Sequence, residues 1–338
     1  MHIKYYLRII LSALALLLSA CNDGGHSSAA TLESSSSGNG AWELVWSDEF
    51  DGHSLDSEKW AREINCWGGG NRELQCYTSE ATNSYVNNGS LYLVARKESY
   101  RGSPLPETDP NYRADDMSAA RNYTSARLST RYKGDWRYGR IEVNARMPQG
   151  QGLWPAIWML PTDSVYGPWP LSGEIDIFEA INLNASHGNE MHGTLHFGSL
   201  MPANKQSGSS YLPVKNIWEY AHTYAIEWEE GEIRWYVDDI HFATQTQAGW
   251  FTHYRKGKDQ HLTTGEGAAP FDQPFHLLLN LAVGGRWPEP PDVDTALPQY
   301  MEIDYVRIYQ CTADRVTGRG CATVNEDVQP LAGIAGPG

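Results

Sequence analysis

The stretch Gly173-Glu-Ile-Asp-Ile-Phe-Glu179 decides how this chain folds and where its chemistry lies. Apolar and acidic residues alternate from Glu174 to Ile177, which is the period-two pattern of a β-strand with one polar face. Glu174 and Asp176 therefore share a face. Glu179 lies an odd number of positions from Glu174, so a regular strand would point it the other way. A β-bulge around positions 177–178 would return Glu179 to the side of the other two acids.

Three carboxylates on one strand face cost stability, because like charges repel and shift each other's pKa values. Two carboxyl groups with separated pKa values are, however, what glycoside hydrolysis uses, one as nucleophile and the other as acid. The alternative is a solvated acidic face on an edge strand. Trp154, Trp158 and Trp169 flank the stretch and favour the catalytic interpretation, since indole rings can stack on sugar rings.

The composition and net charge of the chain argue against some classes of function. Its 338 residues are 41% hydrophobic and include 13 Trp and 19 Tyr, which suits one large β domain or two average ones. The formal net charge of −15 argues against nucleic acid and anionic membrane surfaces as partners. A polysaccharide with little charge remains compatible, and we expect the protein to be a monomer.

The N-terminus indicates export. Lys4 and Arg8 precede an apolar run over 9–18, which is too short for a stable membrane span and is typical of a signal peptide. The ending Leu18-Ser-Ala-Cys21 resembles a bacterial lipobox, which implies a lipid on Cys21 and a membrane anchor facing the periplasm or cell surface. The alternative is ordinary cleavage near Ala20. Removing residues 1–20 takes away two basic and no acidic residues, so the net charge changes from −15 to −17.

The remainder divides into three segments. Residues 22–40 are rich in Ser and Gly and are predicted to be a flexible tether. Residues 41–311 are predicted to form one catalytic domain, and 312–338 a C-terminal tail that frays from Asn325.

Short strand patterns recur throughout the predicted domain and no long helical period competes with them. They predict an all-β antiparallel sandwich, or jelly roll, with a substrate cleft on a concave face. The predicted strands cover 43–46, 90–96, 126–130, 140–146, 153–160, 174–179, 192–197, 223–229, 233–237, 240–244, 276–282 and 302–309. The polar segments 97–122 and 204–210 are interpreted as surface loops.

Besides Cys21, the chain has four cysteines, an even number in an exported protein. Sequence proximity favours the pairs Cys66–Cys76 and Cys311–Cys321. No histidines stand at zinc-ligand spacing around these pairs.

The central stretch and several other motifs resemble glycoside hydrolase family 16 in its laminarinase-like form with a bulged active-site strand. The resemblance covers roughly residues 42–310. Its motifs are Trp154-Pro-Ala-Ile-Trp-Met-Leu-Pro161, Glu174–Glu179, Trp46–Asp51, Asn71–Gln75, Tyr123–Leu128, Tyr138–Arg140, Gly193–His196 and Val283–Pro288. It implies a retaining endo-β-1,3-glucanase. Glu174 would be the nucleophile, Glu179 the general acid and then base, and Asp176 an electrostatic helper between them.

The resemblance also implies a set of substrate-binding residues in the cleft. Trp154 and Trp158 are four apart and so share a strand face. For any single Trp in a sandwich the alternative is core packing, which is our interpretation of Trp46, Trp228 and Trp235. His192 and His196 could assist Glu179 or the sugar, or be ordinary core residues. The set expected in the cleft is Asn71, Trp154, Trp158, Trp169, His192, His196 and Trp287.

Catalysis in this family needs no cofactor, but the resemblance implies a structural calcium. Glu49, the backbone of Gly89 and Asp304 stand at the matching positions and offer oxygen ligands. The alternative is that Glu49 and Asp304 cap turns. Arg286 replaces the Asn that usually precedes Trp-Pro in the family. This loop therefore constrains the identity of the substrate less than the catalytic strand does.

Two alternatives stay open. The first is a galactan hydrolase of the agarase or carrageenase type, which shares the bulged strand. The laminarinase-like runs around Trp154 and Trp287 count against it. The second is a non-catalytic glucan-binding protein on the same scaffold. Such relatives usually lack the catalytic acids, and all three are present here.

Overall fold

A computed structural model describes residues 41–257 and 261–332, and these residues form strands, turns and loops without an α-helix. No helix in the described part of the chain could therefore cross a membrane. Cys21 and the predicted tether lie outside the described residues. The strands are β1 Trp42–Asp48, β2 Ala61–Arg62, β3 Gln75–Tyr77, β4 Ser84–Asn87, β5 Ser90–Ala95, β6 Tyr100–Gly102, β7 Ala119–Arg121, β8 Tyr123–Ser125, β9 Arg127–Ser129, β10 Asp135–Trp136, β11 Gly139–Arg146, β12 Leu153–Pro161, β13 Glu174–Glu179, β14 Met191–Gly198, β15 Asn204–Tyr211, β16 His222–Glu229, β17 Glu232–Val237, β18 Ile240–Thr246, β19 His253–Lys256, β20 His261–Thr264, β21 Phe275–Val283 and β22 Gln299–Cys311.

Two eight-stranded antiparallel sheets make up most of the structure. The front sheet has the order β15-β14-β13-β12-β21-β9-β2, with β10 also paired to β21. The back sheet has the order β18-β17-β16-β11-β22-β5-β4, with β1 also paired to β22. The all-β antiparallel prediction is confirmed.

The core lies between the two sheets. β21 is buried along its full length, and alternate residues of this strand, Phe275, Leu277, Leu279, Leu281 and Val283, belong to this core. Trp228 and Trp235 are fully buried and Trp46 packs against the same core, as predicted. Burial of this apolar surface is the main term that stabilises such a sandwich.

All twelve predicted strands form, but the interpretation of 204–210 as a loop is wrong. Residues 204–211 form β15, which pairs with β14 along its length. Its Ser, Gly and Lys residues give no apolar alternation, because an edge strand that is open to solvent needs little apolar surface. Hydrogen bonding to β14 therefore makes this segment a strand, although its composition does not predict one.

The segment 97–122 is mostly irregular, as predicted, and carries the short hairpin β6–β7. It is tied to the chain before β3. The Tyr112 hydroxyl donates to the Ile64 carbonyl at 2.8 Å, and the Cys66 amide donates to the Ser103 carbonyl at 2.6 Å. The segment is therefore held against the chain that follows β2, the edge strand of the front sheet.

The predicted fraying from Asn325 is wrong for the described residues up to 332. The Asn325 amide donates to His241 Nδ1 at 3.1 Å, and the Leu331 amide donates to the Thr244 carbonyl at 2.9 Å. Both acceptors lie on β18, an edge strand with backbone groups open on one side. The segment after Cys311 therefore packs along the back sheet.

Both predicted disulfides form. Cys66–Cys76 and Cys311–Cys321 each bridge a sequence separation of 10. The first encloses the turn with Asn71, and the second fastens the start of the C-terminal segment beside the end of β22.

Candidate active site

The predicted bulge is present in β13. Against β12, Ile157 pairs with Phe178 and Trp158 pairs with Asp176, which leaves Ile177 as the extra residue. The register with β14 shifts at the same place, between Asp176 paired to Thr194 and Glu179 paired to His192. The extra residue restores parity, so Glu174, Asp176 and Glu179 all face the same side of the front sheet.

The back sheet holds the bulge in place. The indole nitrogen of Trp235 on β17 donates to the Asp176 carbonyl at 2.8 Å. Trp235 can approach this closely because Gly193 has no side chain; a Cβ there would lie 2.4 Å from the indole. Phe178 is fully buried on the inner side, with its ring centroid 4.4 Å from that of Tyr224.

Glu174, Asp176 and His196 form one charged group. His196 Nε2 lies 3.2 Å from Asp176 Oδ2 and 3.8 Å from Glu174 Oε1. Burial and the nearby Asp176 charge raise the pKa of Glu174 to about 7, although His196 and a hydrogen bond from Trp169 oppose the shift. Burial would lower the pKa of His196, but the surrounding carboxylates outweigh it and raise this pKa to about 10. His196 is therefore an imidazolium at neutral pH.

Glu179 is the carboxyl group that holds its proton most strongly. Burial, followed by the charges of Asp176 and Glu174, raises its pKa well above the ordinary value. The Trp154 indole donates to Glu179 Oε1 at 3.0 Å. His192, opposite Glu179 on β14, has its pKa lowered by burial. One carboxyl thus ionises near neutrality while its neighbour stays protonated.

The expected aromatic residues meet around these acids. The Trp169 indole donates to Glu174 Oε2 at 2.7 Å, and its side chain is 43% exposed. Trp287, which is 38% exposed, lies edge-on to Trp154 with centroids 5.3 Å apart and 5.4 Å from the His192 ring. The two exposed indoles lie beside different acids, Trp169 at Glu174 and Trp287 near Glu179.

Trp158 is held by two residues to which the sequence reasoning gave no role. The Arg127 guanidinium lies 4.6 Å from the centre of the Trp158 ring, and its Nε is 3.1 Å from Glu63 Oε1. The Trp158 indole donates to Asn280 Oδ1 at 2.7 Å. Two features of the sequence could have indicated these contacts. Asn280 is the one polar residue in the apolar run 277–283, and Arg127 lies within the predicted strand 126–130. Polar groups that are buried in strands need hydrogen-bond or charge partners.

Asn71 lies in a turn beside the loop that carries Trp287. Its backbone carbonyl accepts the Arg286 amide at 2.9 Å. Glu73, two residues on, is buried and accepts from Gln75 Nε2 at 2.7 Å, and burial raises the Glu73 pKa. The structure therefore brings Asn71 to the cleft margin, next to the Arg286–Trp287 loop.

The residues expected for calcium lie along the back sheet and form no carboxylate cluster among the described residues. Arg307 donates to both Glu49 oxygens, at 3.0 and 2.8 Å. Gly89 lies in the β4–β5 turn, and Asp304 is exposed at the irregularity where β22 opposes β11. Among the described residues, only Glu174, Asp176 and His196 form a group of three or more acidic, His or Cys ligands.

This arrangement defines a class of protein. Two buried carboxyl groups of unequal proton affinity lie on one sheet face, beside a third acid, an imidazolium and partly exposed indoles. The groups can supply a nucleophile, a proton and surfaces for sugar rings, which is the equipment of a glycoside-cleaving enzyme.

Comparison with known proteins identifies the family. Residues 70–306 match the model for glycosyl hydrolases family 16, and the chain belongs to this family. It is 42% identical to the beta-glucanase of Rhodothermus marinus over 80% of this chain and 85% of that protein. It is 39% identical to glucan endo-1,3-beta-glucosidase A1 of Niallia circulans over 79% of this chain, but spans only 38% of that relative. The crystal structure of the Rhodothermus marinus laminarinase superposes with a TM-score of 0.65 at 39% identity, covering 81% of this chain and 99% of that one.

Proposed function

We propose that this protein is a retaining endo-β-1,3-glucanase that cleaves a laminarin-like glucan by double displacement. The observation that carries the proposal is the bulge in β13, which sets Glu174 and Glu179 on one face with different proton affinities. The relatives named above act on β-glucan by their names, which supports the choice of polysaccharide. No cofactor takes part in the reaction.

In the first step the Glu174 carboxylate attacks the anomeric carbon and forms an ester with the sugar. Glu179 gives its proton to the glycosidic oxygen as the bond to the leaving chain breaks. In the second step the Glu179 carboxylate takes a proton from water, the resulting hydroxide attacks the same carbon, and Glu174 leaves. The two inversions restore the starting configuration.

Asp176 and His196 set the resting charges. Asp176 is almost fully buried and its negative charge raises the pKa of both glutamic acids. His196 offsets part of this repulsion and favours ionised Glu174. Trp169 and Trp154 each donate a hydrogen bond to one glutamic acid, which fixes both carboxyl groups before substrate arrives.

The test combines substitution with stereochemistry. Glu174→Gln and Glu179→Gln should each lose at least about a thousandfold in kcat on laminarin, because each removes one participant in the displacement, while melting temperature and glucan affinity stay near wild type. Early NMR spectra of the wild-type products should show the β-anomer before mutarotation. A first-formed α-anomer would mean inversion and would remove the nucleophile role of Glu174. A panel of laminarin, curdlan, lichenan, agarose and carrageenan, read by new reducing ends, tests the linkage.

We also propose that the protein is a lipoprotein attached to a membrane through Cys21. The support is the lipobox-like sequence at residues 18–21 with its preceding apolar run. Full-length protein should fractionate with membranes and Cys21→Ala with the soluble fraction. Equal soluble pools for both would contradict the anchor.

A calcium ion on the back sheet is a further proposal. On β22, pairing with β5 ends at Ile303 and pairing with β1 begins at Val306, so Asp304 lies in the gap between these two neighbours. Glu49 follows β1 and Gly89 precedes β5, so both residues border the same gap. Their backbone carbonyls and the Asp304 carboxylate are the kind of oxygen ligand that calcium takes. The Glu49 carboxylate is already paired with Arg307 and is not needed as a ligand. Calcium should raise the melting temperature of wild type after EDTA treatment and leave Asp304→Ala unchanged; the same gain in both would contradict the site.

A further inference from the structure

A second pocket lies on the flank of the sandwich, away from the catalytic face. It encloses about 420 Å³ where β15 ends and β16 and β18 begin. Ser210 pairs with His192 and faces the catalytic side, whereas the next residue, Tyr211, turns toward the back sheet and stacks on Phe242 with centroids 4.9 Å apart. The walls include Tyr211, Lys215, Tyr220, His222, Asp238 and Ile240.

The loop that forms one wall is fixed by a buried side chain. Asn189 Nδ2 donates to the carbonyls of Pro213 and Lys215, at 2.8 and 2.9 Å, and Asn189 Oδ1 accepts the Ile217 amide at 2.8 Å. The Asn189 side chain thus makes three hydrogen bonds, two as donor and one as acceptor, and these order the backbone over residues 213–217. The pocket is therefore preformed.

The lining joins one half-exposed aromatic ring, with the Lys215 ammonium over it, to polar groups with little net charge. Tyr220 is 51% exposed, and Lys215 Nζ lies 5.2 Å from its ring centre. His222 Nδ1 lies 2.6 Å from Asp238 Oδ2, and His222 Nε2 is buried with no hydrogen-bond partner. Lys215 and Asp238 offset each other, so an uncharged ligand rich in hydroxyl groups suits the site better than an ion. An aromatic face with hydroxyl-binding groups around it is a sugar-binding arrangement.

We propose that this pocket is a second polysaccharide site, which holds a β-1,3-glucan strand with a sugar ring against Tyr220. The identity of the glucan rests on the proposed function. The site would keep the enzyme on an insoluble or long substrate while the cleft releases products.

The experiment uses the full chain with Glu174→Gln, which binds without turnover, and insoluble curdlan as the probe. Adding Tyr220→Ala should weaken binding to curdlan about tenfold, since one stacked ring and its avidity are lost. Tyr220→Phe, which keeps the ring, should bind like the parent. Tyr85→Ala is the matched control, since Tyr85 is 37% exposed on β4 at the other edge of the back sheet, and it should also bind like the parent.

In the otherwise wild-type enzyme, Tyr220→Ala should leave kcat/KM for soluble laminaritetraose unchanged and lower the rate on curdlan. Curdlan binding that is the same in the Tyr220→Ala protein and its parent would overturn the proposal, as would an equal loss in the Phe variant. Failure of the proposed function would look different, because the wild-type enzyme would then not hydrolyse laminarin at all.

Discussion

At the scale of single residues, His196 reduces the repulsion among the three carboxyl groups of β13. Three carboxyl groups on one strand would repel strongly if all were ionised. The structure places one imidazolium within 4 Å of two of them and leaves the third, Glu179, protonated. Above about pH 7 the resting site then holds two negative charges against one positive charge, and the proton needed by the leaving group stays on Glu179.

A shift in the pH profile follows from this charge. Activity needs ionised Glu174 and protonated Glu179, so the acidic limb of kcat/KM follows Glu174 and the basic limb follows Glu179. His196 lowers the pKa of both groups. His196→Gln should therefore move both limbs to higher pH, by about one unit. The measurement is kcat/KM on laminarin between pH 4 and pH 10.

His192→Gln is the control for that profile. His192 lies on the same strand, but burial lowers its pKa, so it is neutral where the enzyme works. The substitution should change the height of the profile without moving its limbs. If the His196 variant kept both limbs in place as well, the electrostatic role of His196 would be wrong.

The sequence was informative where a residue type forces a local geometry. The spacing of Glu174 and Glu179 required an extra residue in the strand, and the structure has one. It was uninformative where a partner lies far along the chain. Arg127 under Trp158, Asn280 at its indole and Trp235 behind the bulge are set by tertiary contacts that strand periodicity does not carry.

At the scale of elements, the two disulfides close loops of equal length but hold different parts of the fold. Cys66–Cys76 encloses the turn with Asn71, and the Leu74 amide within it donates to the Val283 carbonyl of the front sheet at 2.7 Å. Cys311–Cys321 encloses a loop whose Arg319 donates to the Glu230 carbonyl at 2.8 Å. One loop borders the cleft and the other borders the back sheet.

Replacing each pair by alanine should therefore separate stability from binding. Both double variants should lose roughly 2–3 kcal/mol of unfolding free energy, because the closed loops are equally long. Only Cys66→Ala with Cys76→Ala should also raise KM for laminarin, since it frees the Asn71 turn. Urea unfolding and steady-state kinetics measure the two effects. A KM increase in the Cys311 and Cys321 variant, or none in the other, would contradict this division.

At the scale of the whole molecule, the C-terminal segment completes the back sheet. Glu227 is almost fully buried, and its Oε2 accepts the Thr323 amide at 2.7 Å and the Tyr236 hydroxyl at 2.8 Å. The Tyr236 hydroxyl also lies 2.6 Å from the Thr323 carbonyl. A polar Thr, Gly and Ala composition gave no sign of these contacts, because they satisfy buried polar groups and bury little apolar surface. A domain boundary at residue 311 would cut through them.

Truncation tests where the folded unit ends. A protein ending at Cys311 loses the Cys311–Cys321 bridge, the Thr323 amide bound to Glu227 and the Asn325 amide bound to His241, so its unfolding free energy should fall by about 3–5 kcal/mol. A protein ending at residue 332 keeps every contact described above and should unfold like the full chain. Urea unfolding of both, with laminarin hydrolysis at a temperature where each is folded, separates lost stability from lost chemistry. The catalytic groups lie on the front sheet, so kcat of the shorter protein should stay close to wild type under those conditions. Equal stability of the two truncated proteins would show that the fold ends at Cys311 and that the contacts of residues 312–332 contribute nothing measurable.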